Sequence, residues 1–275
     1  MEMVKTADVV IIGGGISGVA IAYNLLKNGV KDVVVLEKDY LASAATGRCG
    51  AGIRQQWGTE LNCNMAKFSC EFFENAVEEL KYTGDIEFKQ GGYLLIASTQ
   101  KEDEQFKKNV ALQNSLGIQS KVLTLQEAKE IVPHLNTDLL TSATFHQKDG
   151  HLNPFHTTQA FADAVKRLGG KIYLNTTVTD VTTENGEISG VKTNKGDIST
   201  KIVVNAAGGW SQDIAAMVGV DLNLYSERHQ ILVTEPLDPV LGPMVMSFSL
   251  NLYIQQVPHG GIIIDRKSTR LNSSH

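Results

Sequence analysis

The first forty residues carry apolar and small residues in an order that predicts a strand, a tight turn, a helix and a second strand. The apolar run at residues 9–12 ends in the sequence Gly13-Gly14-Gly15-Ile16-Ser17-Gly18, and a mostly apolar segment leads from there to a second run at residues 33–36. Glycines in such a turn permit a tight bend, a close approach of the backbone to a phosphate and close packing of helix on strand. The start of the helix offers unpaired N–H groups and the positive end of its dipole to an anion. The pattern therefore predicts a unit that binds the pyrophosphate of a dinucleotide.

An acidic residue ends the second predicted strand. Glu37 follows Gly18 by nineteen residues, the distance at which a carboxylate accepts hydrogen bonds from both ribose hydroxyls of an adenosine and repels a 2′-phosphate. Two other interpretations exist for the apolar residues 9–26, a membrane span and a signal peptide. The three consecutive glycines argue against the first, and the missing basic n-region and cleavage site argue against the second.

The remaining pattern predicts helices at residues 60–82, 101–116, 125–131 and 157–168. Strands are predicted at residues 86–88 and 93–96, then in close succession from 171 to 205 with hairpin turns at Asn185-Gly186 and Lys195-Gly196, and again between 230 and 264. The fold class is therefore α/β, or α+β overall, with a Rossmann-like domain interleaved with an antiparallel-sheet domain. We expect residues 1–90 and 150–222 in the dinucleotide domain and 91–149 and 223–264 in a substrate domain.

The amino-acid composition of the chain argues against several classes of function. The chain of 275 residues has a net charge of −5 without a basic run, so no nucleic-acid partner is expected. Its three cysteines form no CxxC pair and indicate reduced thiols of a cytosolic protein. His146, His151 and His156 recur every five residues across a Gly-Pro loop, which is not the spacing of a metal site. No metal and no transmembrane segment are expected.

The last eleven residues, Asp265–His275, contain one apolar residue and no periodicity. They resemble the translation of a sequencing adapter, and we expect the natural chain to continue differently after Ile264. The alternative is a genuine basic tail.

Several further segments carry a family resemblance. They are Thr46-Gly-Arg-Cys-Gly-Ala-Gly-Ile-Arg-Gln-Gln-Trp57, Phe88-Lys-Gln-Gly-Gly-Tyr93, Asp149-Gly150 with Pro154, Val204-Asn-Ala-Ala-Gly-Gly-Trp210 and Pro243-Met-Val-Met-Ser-Phe248. Together with the N-terminal turn they resemble the FAD-dependent D-amino-acid oxidase superfamily over about residues 7–264. Within it, the chain is similar to the β subunits of dye-linked L-proline dehydrogenases and heteromeric sarcosine oxidases.

The resemblance implies a non-covalently bound FAD. The cofactor-binding residues that the turn and the resemblance imply are Gly13, Gly15, Ile16, Ser17, Gly18, Glu37, Lys38, Ser43, Thr46, Arg48, Cys49, Val178, Ala207, Gly208 and Trp210. Arg48 is expected to neutralise a phosphate or the reduced flavin, with a surface ion pair as the alternative. Cys49 is expected to be a small buried thiol and not a covalent flavin anchor.

The resemblance also implies the activity, which is oxidation of the C–N bond of a small amino acid or secondary amine by hydride transfer to flavin N5. Arg54, Tyr253 and His229 are the implied catalytic residues, with a packed core aromatic or a hydrogen-bonded histidine at a sheet edge as the alternatives for the last two. Relatives that reduce oxygen often carry a lysine in the strand that corresponds to Gly261–Ile264. This strand is all isoleucine after its glycine, so a dehydrogenase is expected in preference to an oxidase.

The implied partners are a small amino-acid or amine substrate and companion subunits that accept electrons. We expect a cytoplasmic protein, peripheral to a membrane only through such subunits. Two other functions stay open. A non-catalytic FAD-binding electron-transfer or scaffold subunit is opposed by Arg54 and Tyr253, and an NAD-dependent dehydrogenase is opposed by the loop at residues 47–58 and by the Ala-Ala-Gly turn at 206–208.

Overall fold

The computed structural model describes residues 2–227 and 230–266 of the chain. Its helices are α1 (Ile16–Lys27), α2 (Glu60–Glu74), α3 (Ala76–Glu79), α4 (Gln100–Ser115), α5 (Leu125–Ile131), α6 (Pro154–Arg167) and α7 (Ser211–Ala216). Its strands are β1 (Val9–Ile12), β2 (Val33–Leu36), β3 (Gly52–Ile53), β4 (Tyr93–Ala97), β5 (Lys121–Leu123), β6 (Ser142–His146), β7 (Gly150–His151), β8 (Lys171–Tyr173), β9 (Val178–Glu184), β10 (Glu187–Thr193), β11 (Gly196–Ser199), β12 (Val203–Asn205), β13 (Ile231–Val233), β14 (Met244–Ser247), β15 (Leu252–Gln256) and β16 (Ile262–Arg266).

The described chain divides into two compact units, each assembled from three segments. The first unit contains residues 2–49, 76–86 and 153–227, and the second contains residues 50–75, 87–152 and 230–266. The predicted domains are also interleaved, but with two segments each, and they assign residues 50–75 to the dinucleotide domain. In the structure this segment groups with the second unit, because β3 pairs with β7 and follows it into that unit.

A parallel sheet of order β12-β1-β2-β8 forms the centre of the first unit. Every residue of β1 and β2 is apolar and buried, as is typical of parallel strands that are covered on both faces. Helix α1 packs against α6, with Tyr23 and Phe161 in edge-to-face contact at 5.6 Å between ring centroids. Strands β1 and β2 are parallel neighbours joined by α1, and they form the predicted βαβ unit.

The first unit also contains an antiparallel sheet of order β11-β10-β9. At the β9–β10 turn, Asn185 and Gly186 have φ values of 53° and 81°, which is the left-handed backbone of a type I′ hairpin turn. The predicted hairpin at this position is therefore confirmed.

A mixed sheet of order β13-β16-β15-β14-β4-β6-β5 dominates the second unit. All its neighbouring strands are antiparallel except β14 and β4, which run parallel. Helix α4 contacts β4, β5 and β6, and Thr99 caps its first turn by accepting from the Glu102 N–H. The predicted combination of a Rossmann-like unit with a largely antiparallel one is confirmed.

Three local predictions were wrong. Residues 86–88 do not form a strand, since Glu87 has a φ of 55°, a conformation that no extended strand accommodates. The helix predicted at 60–82 ends at Glu74, where the Asn75 backbone N–H caps the last turn by donating to the Phe72 carbonyl, and α3 follows separately. Strand β16 extends through Asp265, which pairs with Ile231 and Tyr253, although the sequence assigned this residue to the irregular tail.

Candidate cofactor and substrate sites

The glycine turn after β1 lies where three strands of the parallel sheet end. The Gly13 N–H donates to the Leu36 carbonyl at 2.9 Å, and the Ile12 carbonyl accepts from the Ala206 N–H at 2.9 Å. Gly13 has a φ of 116°, and a Cβ at this position would lie 2.3 Å from the Ala206 carbonyl oxygen. Only glycine satisfies both the conformation and the space.

Helix α1 begins at this turn without a side-chain cap on its N-cap residue, Gly15. The Ile16 N–H donates to Oγ1 of Thr46 at 3.2 Å, and Thr46 lies in a short 3₁₀ turn, Ala45–Arg48. The N–H groups of Ser17 and Gly18 also belong to the first turn, where a helix provides no internal acceptor. These donors and the positive end of the helix dipole suit an anionic group, so this end of α1 has the chemistry to hold a pyrophosphate.

Glu37 is buried at the end of β2, with 7% of its surface exposed. Its Oε2 accepts from the Gly14 N–H at 2.7 Å and its Oε1 from the Asp39 N–H at 2.8 Å. These are charge-assisted hydrogen bonds, and a carboxylate has lone pairs left for two ribose hydroxyls. Glu37 therefore shapes the glycine turn in addition to the role that the sequence predicts for it.

The other predicted cofactor residues range from buried to exposed. Ser43 and Val178 are buried. Lys38 and Trp210 contact each other, with Nζ of Lys38 at 3.3 Å from the centre of the Trp210 ring, a cation–π pair. Ala207 precedes the 3₁₀ turn Gly208–Trp210, in which Gly208 has a φ of 56°.

Arg48 and Cys49 are exposed at the end of the 3₁₀ turn. The prediction of a buried Cys49 was wrong. Its thiol lies at the surface and donates to the Thr46 carbonyl at 3.1 Å. The turn exposes both side chains because it runs over the surface after the last buried residue of the loop, Ser43.

In the second unit, the side chain of Arg54 lies among aromatic rings. Its Cζ is 4.2 Å from the centre of the Trp57 ring, 5.5 Å from that of Phe248 and 5.8 Å from that of Tyr93. Its Nη1–H donates to the sulfur of Met246 at 3.0 Å. We call these residues the Arg54 ring cluster: Arg54, Trp57, Tyr93, Met246 and Phe248.

The guanidinium of Arg54 has few polar partners in this cluster. Its Nε is buried and has no hydrogen-bond partner, and within residues 2–227 and 230–266 no carboxylate lies within 4 Å of it. Burial lowers the pKa of Arg54, and the charges of Tyr93 and Asp149 oppose that shift. A half-buried cation without a carboxylate partner is costly to the fold, so this arginine has the properties of a binding site for an anion.

Tyr253 lies next to Tyr93 of the cluster. The rings of Tyr93 and Tyr253 are 6.1 Å apart, and burial raises the pKa of Tyr93 to about 12, against the opposing effects of Arg54 and of a hydrogen bond to Tyr253. The Tyr253 hydroxyl donates to the side-chain oxygen of Gln255, which is 2% exposed. Two hydroxyls and one amide thus form a continuous hydrogen-bonded group.

The sequence predicted Arg54 and Tyr253 but not the residues that surround them. Three of the motifs that carry the resemblance end in an aromatic residue of the cluster, namely Trp57, Tyr93 and Phe248. The sequence did not predict that these three residues lie close together. No local pattern indicates that residues 54, 93 and 248 meet, because strand pairing over long distances brings them together. His229, the third predicted catalytic residue, lies outside the described residues.

The parallel sheet, the glycine turn and the uncapped start of α1 define a dinucleotide-binding protein. The model of the family "FAD dependent oxidoreductase" (DAO) matches residues 8–272, and the chain belongs to this family. The predicted family and its cofactor, FAD, are thereby confirmed. The glycine turn leaves no room for larger side chains, and the first-turn donors and Glu37 suit the phosphates and ribose of this cofactor.

Three proteins illustrate the similarity. The β subunit of sarcosine oxidase from Arthrobacter sp. is 32% identical over 269 residues, which are 96% of this chain and 66% of that subunit. Mitochondrial dimethylglycine dehydrogenase from Rattus norvegicus is 29% identical over 266 residues, 94% of this chain and 31% of the rat protein. The crystal structure of L-proline dehydrogenase from P. horikoshii matches with a TM-score of 0.88 at 42% identity, over 95% of this chain and 70% of that one. The chain therefore spans about two thirds of the bacterial subunit and under a third of the rat protein.

None of the helices among the described residues combines the length and apolarity needed to cross a bilayer. Within the same residues no three His, Cys, Asp or Glu side chains converge on a metal-sized site. His146 instead pairs with Asp149 at 2.9 Å, and Nδ1 of His156 lies 2.9 Å from the Asp85 carbonyl.

Proposed function

We propose that this chain is the substrate-oxidising, FAD-binding part of an amino-acid or secondary-amine dehydrogenase. The observation that carries the proposal is the buried, unpaired Nε of Arg54 inside a cluster of aromatic rings. An arginine in such surroundings recognises a carboxylate with two parallel hydrogen bonds, and amino acids carry a carboxylate next to the amine.

The relatives support the substrate class. Their names include a sarcosine oxidase subunit, an L-proline dehydrogenase and a glycine oxidase from Geobacillus kaustophilus, the last with a TM-score of 0.85 and 26% identity. Sarcosine, proline and glycine are all small α-amino acids. What they share is an amine and a carboxylate on one carbon, and this is the pair of groups that we propose the site recognises.

In the proposed reaction the protein binds and orients, and the cofactor accepts electrons. Gly13, Gly15 and Gly18 would hold the pyrophosphate and Glu37 the ribose. When bound, FAD would take up the α-hydrogen of the substrate together with its two electrons, so that the C–N single bond becomes a C=N double bond and the N–H proton leaves to water. Water then opens the imine, or the imine remains cyclic when the substrate is proline.

Arg54 and Tyr253 have complementary tasks in this proposal. The guanidinium binds the substrate carboxylate, and the rings around it keep water away, which strengthens the interaction. Tyr253, whose hydroxyl is held by the hydrogen bond that it donates to Gln255, orients the substrate amine. Fixing both groups of the substrate sets the direction of its α-C–H bond, and orientation of this kind contributes strongly to rate.

We further propose a dehydrogenase and not an oxidase. The strand β16 offers Ile262, Ile263 and Ile264 where oxygen-reducing relatives often carry a lysine. The test is to supply the FAD-loaded protein with an amine substrate and to compare oxygen consumption with the reduction of an artificial dye. Fast reduction of the dye with slow consumption of oxygen supports a dehydrogenase. Rapid oxygen consumption with substrate alone would contradict it.

The substrate proposal is tested on Arg54. We expect Arg54→Met to raise KM for proline, sarcosine or glycine about 100-fold, because a charge-assisted bidentate contact is lost, and to leave KM for the decarboxylated amine pyrrolidine nearly unchanged. Arg54→Lys should recover part of the loss, and Lys101→Met, on the exposed side of α4, serves as the matched control. An equal effect of Arg54→Met on proline and pyrrolidine would refute a carboxylate site.

A second candidate function is supported by one similarity. The regulatory subunit of mitochondrial pyruvate dehydrogenase phosphatase from Mus musculus is 30% identical over 263 residues, so a related sequence carries a name that is not that of an oxidase or dehydrogenase. A non-catalytic FAD-binding subunit would bind FAD, but the bound FAD would not be reduced when proline, hydroxyproline, sarcosine or glycine is added. Companion subunits that accept electrons and a cytoplasmic location are further parts of our proposal, and co-purification from the native source tests them.

A further inference from the structure

Asp149 is 0% exposed and is the centre of a buried polar network. This network holds Gln55 and Gln56, the two residues that follow Arg54 in the chain. The Oδ1 of Asp149 accepts from the Gln55 backbone N–H at 2.8 Å and lies 2.9 Å from Nδ1 of His146. Its Oδ2 accepts from Nε2 of Gln56 at 3.1 Å. The carboxylate of one loop thus binds the two residues that follow Arg54.

The amide of Gln56 has a single orientation in this network. Its Nε2 also donates to the Tyr93 carbonyl at 2.8 Å, and its Oε1 accepts from the Thr144 hydroxyl at 2.9 Å. Rotating the amide by half a turn would set its oxygen against two acceptors, the Tyr93 carbonyl and the Asp149 carboxylate. Only an acceptor at position 149 therefore completes the hydrogen bonds of Gln56.

Asp149 is itself fixed by its backbone. Its carbonyl accepts from the Gly92 N–H at 2.9 Å. A Cβ on the next residue, Gly150, would lie 2.1 Å from the Lys89 carbonyl oxygen, so the chain passes this point in close contact with a neighbouring backbone. A buried carboxylate on such a rigid support is suited to hold another segment in place.

The relation between Asp149 and Arg54 is indirect. The two side chains do not form an ion pair within 4 Å, yet the charge of Asp149 helps to keep Arg54 protonated against the effect of burial. A carboxylate in direct contact with the guanidinium would compete with a ligand for the same N–H groups. Asp149 balances the charge of Arg54 without contacting it. The Arg54 Nε, which is buried without a hydrogen-bond partner, is therefore available to a ligand.

We propose that Asp149 is a positioning residue for Arg54, holding residues 55 and 56 by hydrogen bonds so that the Arg54 guanidinium stays within its ring cluster, open to a carboxylate. This inference rests on the proposed function, because it assigns a support to the group that we propose binds the substrate. It adds that carboxylate affinity depends on a residue that does not touch the ligand.

The test is a double-mutant cycle on ligand affinity. The probe is pyrrole-2-carboxylate, a planar analogue of proline, and its binding to the FAD-loaded protein is measured by calorimetry, with pyrrole as the probe that lacks the carboxylate. The variants are Asp149→Asn, Arg54→Met and the two combined. Asp103→Asn is the matched control, because Asp103 is a second buried aspartate of the same unit and pairs with Lys107 at 2.7 Å.

We expect Asp149→Asn to weaken pyrrole-2-carboxylate binding about tenfold, since the new amide sets its N–H₂ against a donor and loosens the segment. In the Arg54→Met background, Asp149→Asn should have almost no further effect on the affinity for pyrrole-2-carboxylate. The difference between the two backgrounds is the coupling that a double-mutant cycle detects. Binding of pyrrole and the Asp103→Asn control should not change. If Asp149→Asn does not fold, His146→Gln takes its place in the cycle, with the same coupling expected.

Two failures are distinguishable. A loss of affinity from Asp149→Asn that is as large without Arg54 as with it would overturn the positioning role and leave the carboxylate site intact. An unchanged affinity in Arg54→Met would overturn the carboxylate site itself, and the positioning role with it. An unchanged affinity in Asp149→Asn alone also contradicts the inference.

Discussion

The carbonyl oxygen of Gly13 lies 1.9 Å from the point that a Cβ of Gly18 would occupy. The glycine turn and the first turn of α1 therefore meet backbone against backbone. A backbone atom cannot move aside as the end of a flexible side chain can. The contact also fixes the direction in which the first-turn N–H groups of α1 point, because the helix start rests on the turn.

We expect Gly18→Ala to lower the free energy of unfolding of the apoprotein by about 2–3 kcal/mol, as overpacking of a tight contact does, and to remove most of the bound flavin. Urea unfolding and the flavin absorbance per chain measure the two effects. Gly242→Ala is the matched control, since a Cβ there meets nothing within 4 Å. A Gly18→Ala protein with full flavin content and unchanged stability would contradict the packing argument.

Glu37 offers a test that separates folding from cofactor binding. Its two oxygens each accept a backbone N–H, so Glu37→Gln sets an amide N–H₂ against one of these donors. We expect the apoprotein to lose about 1–3 kcal/mol of unfolding free energy, the cost of a buried group without its partner, and the affinity for FAD to fall as well. The exposed Glu130→Gln on α5 is the control. Weaker FAD binding without any loss of apoprotein stability would mean that Glu37 serves the ribose alone.

Elements with complete local signals were predictable from the sequence. Helix α5 was predicted at its observed bounds, Leu125–Ile131, because Thr124 and Glu127 form a capping box and Pro133 prevents its continuation. The glycine turn was equally predictable. Only three residues separate the end of β1 from the start of α1, so the turn between them must be tight. In both places the local sequence determines the local structure.

Features that depend on distant residues were not predictable. Strands β5 and β6 mix polar with apolar residues, and they are strands because β5 pairs with β6 and β6 pairs with β4. The Arg54 ring cluster joins residues almost two hundred positions apart, such as Arg54 and Met246. Asp149 was noticed only as part of a motif, and its three hydrogen bonds could not be inferred from that.

Gly50 contacts the tyrosine that we propose faces the substrate amine. A Cβ on Gly50 would lie 2.8 Å from the Tyr253 hydroxyl oxygen and 2.8 Å from the side-chain oxygen of Gln255. Because these are ends of side chains that can move, we expect Gly50→Ala to keep its stability within about 1 kcal/mol while turnover falls about tenfold through misplacement of Tyr253. Steady-state kinetics and thermal unfolding measure both.

The control for this prediction removes the group that is displaced. In a Tyr253→Phe background the Gly50→Ala substitution has no hydroxyl to displace, so its effect on turnover should largely disappear. An equal loss of turnover in both backgrounds would show that Gly50 acts on something other than Tyr253.

Tyr93 makes stability depend on alkaline pH. Burial raises its pKa from 10.0 to about 12, so the folded protein holds the phenol proton more tightly than the unfolded chain does. The neutral form of Tyr93 therefore contributes in full to the free energy of unfolding below pH 10. This contribution is about 3 kcal/mol, at 1.36 kcal/mol for each pKa unit, and it is lost as the pH rises towards 12.

Tyr93→Phe has no phenol proton to lose. Its unfolding free energy should therefore fall less steeply than that of the unmodified protein over this range when both are unfolded in urea. Tyr40→Phe, which removes a hydroxyl from a side chain that is 59% exposed, is the matched control and should follow the unmodified protein. Parallel curves for the unmodified protein and Tyr93→Phe between pH 10 and 12 would mean that the Tyr93 phenol ionises as readily in the folded protein as in the unfolded chain.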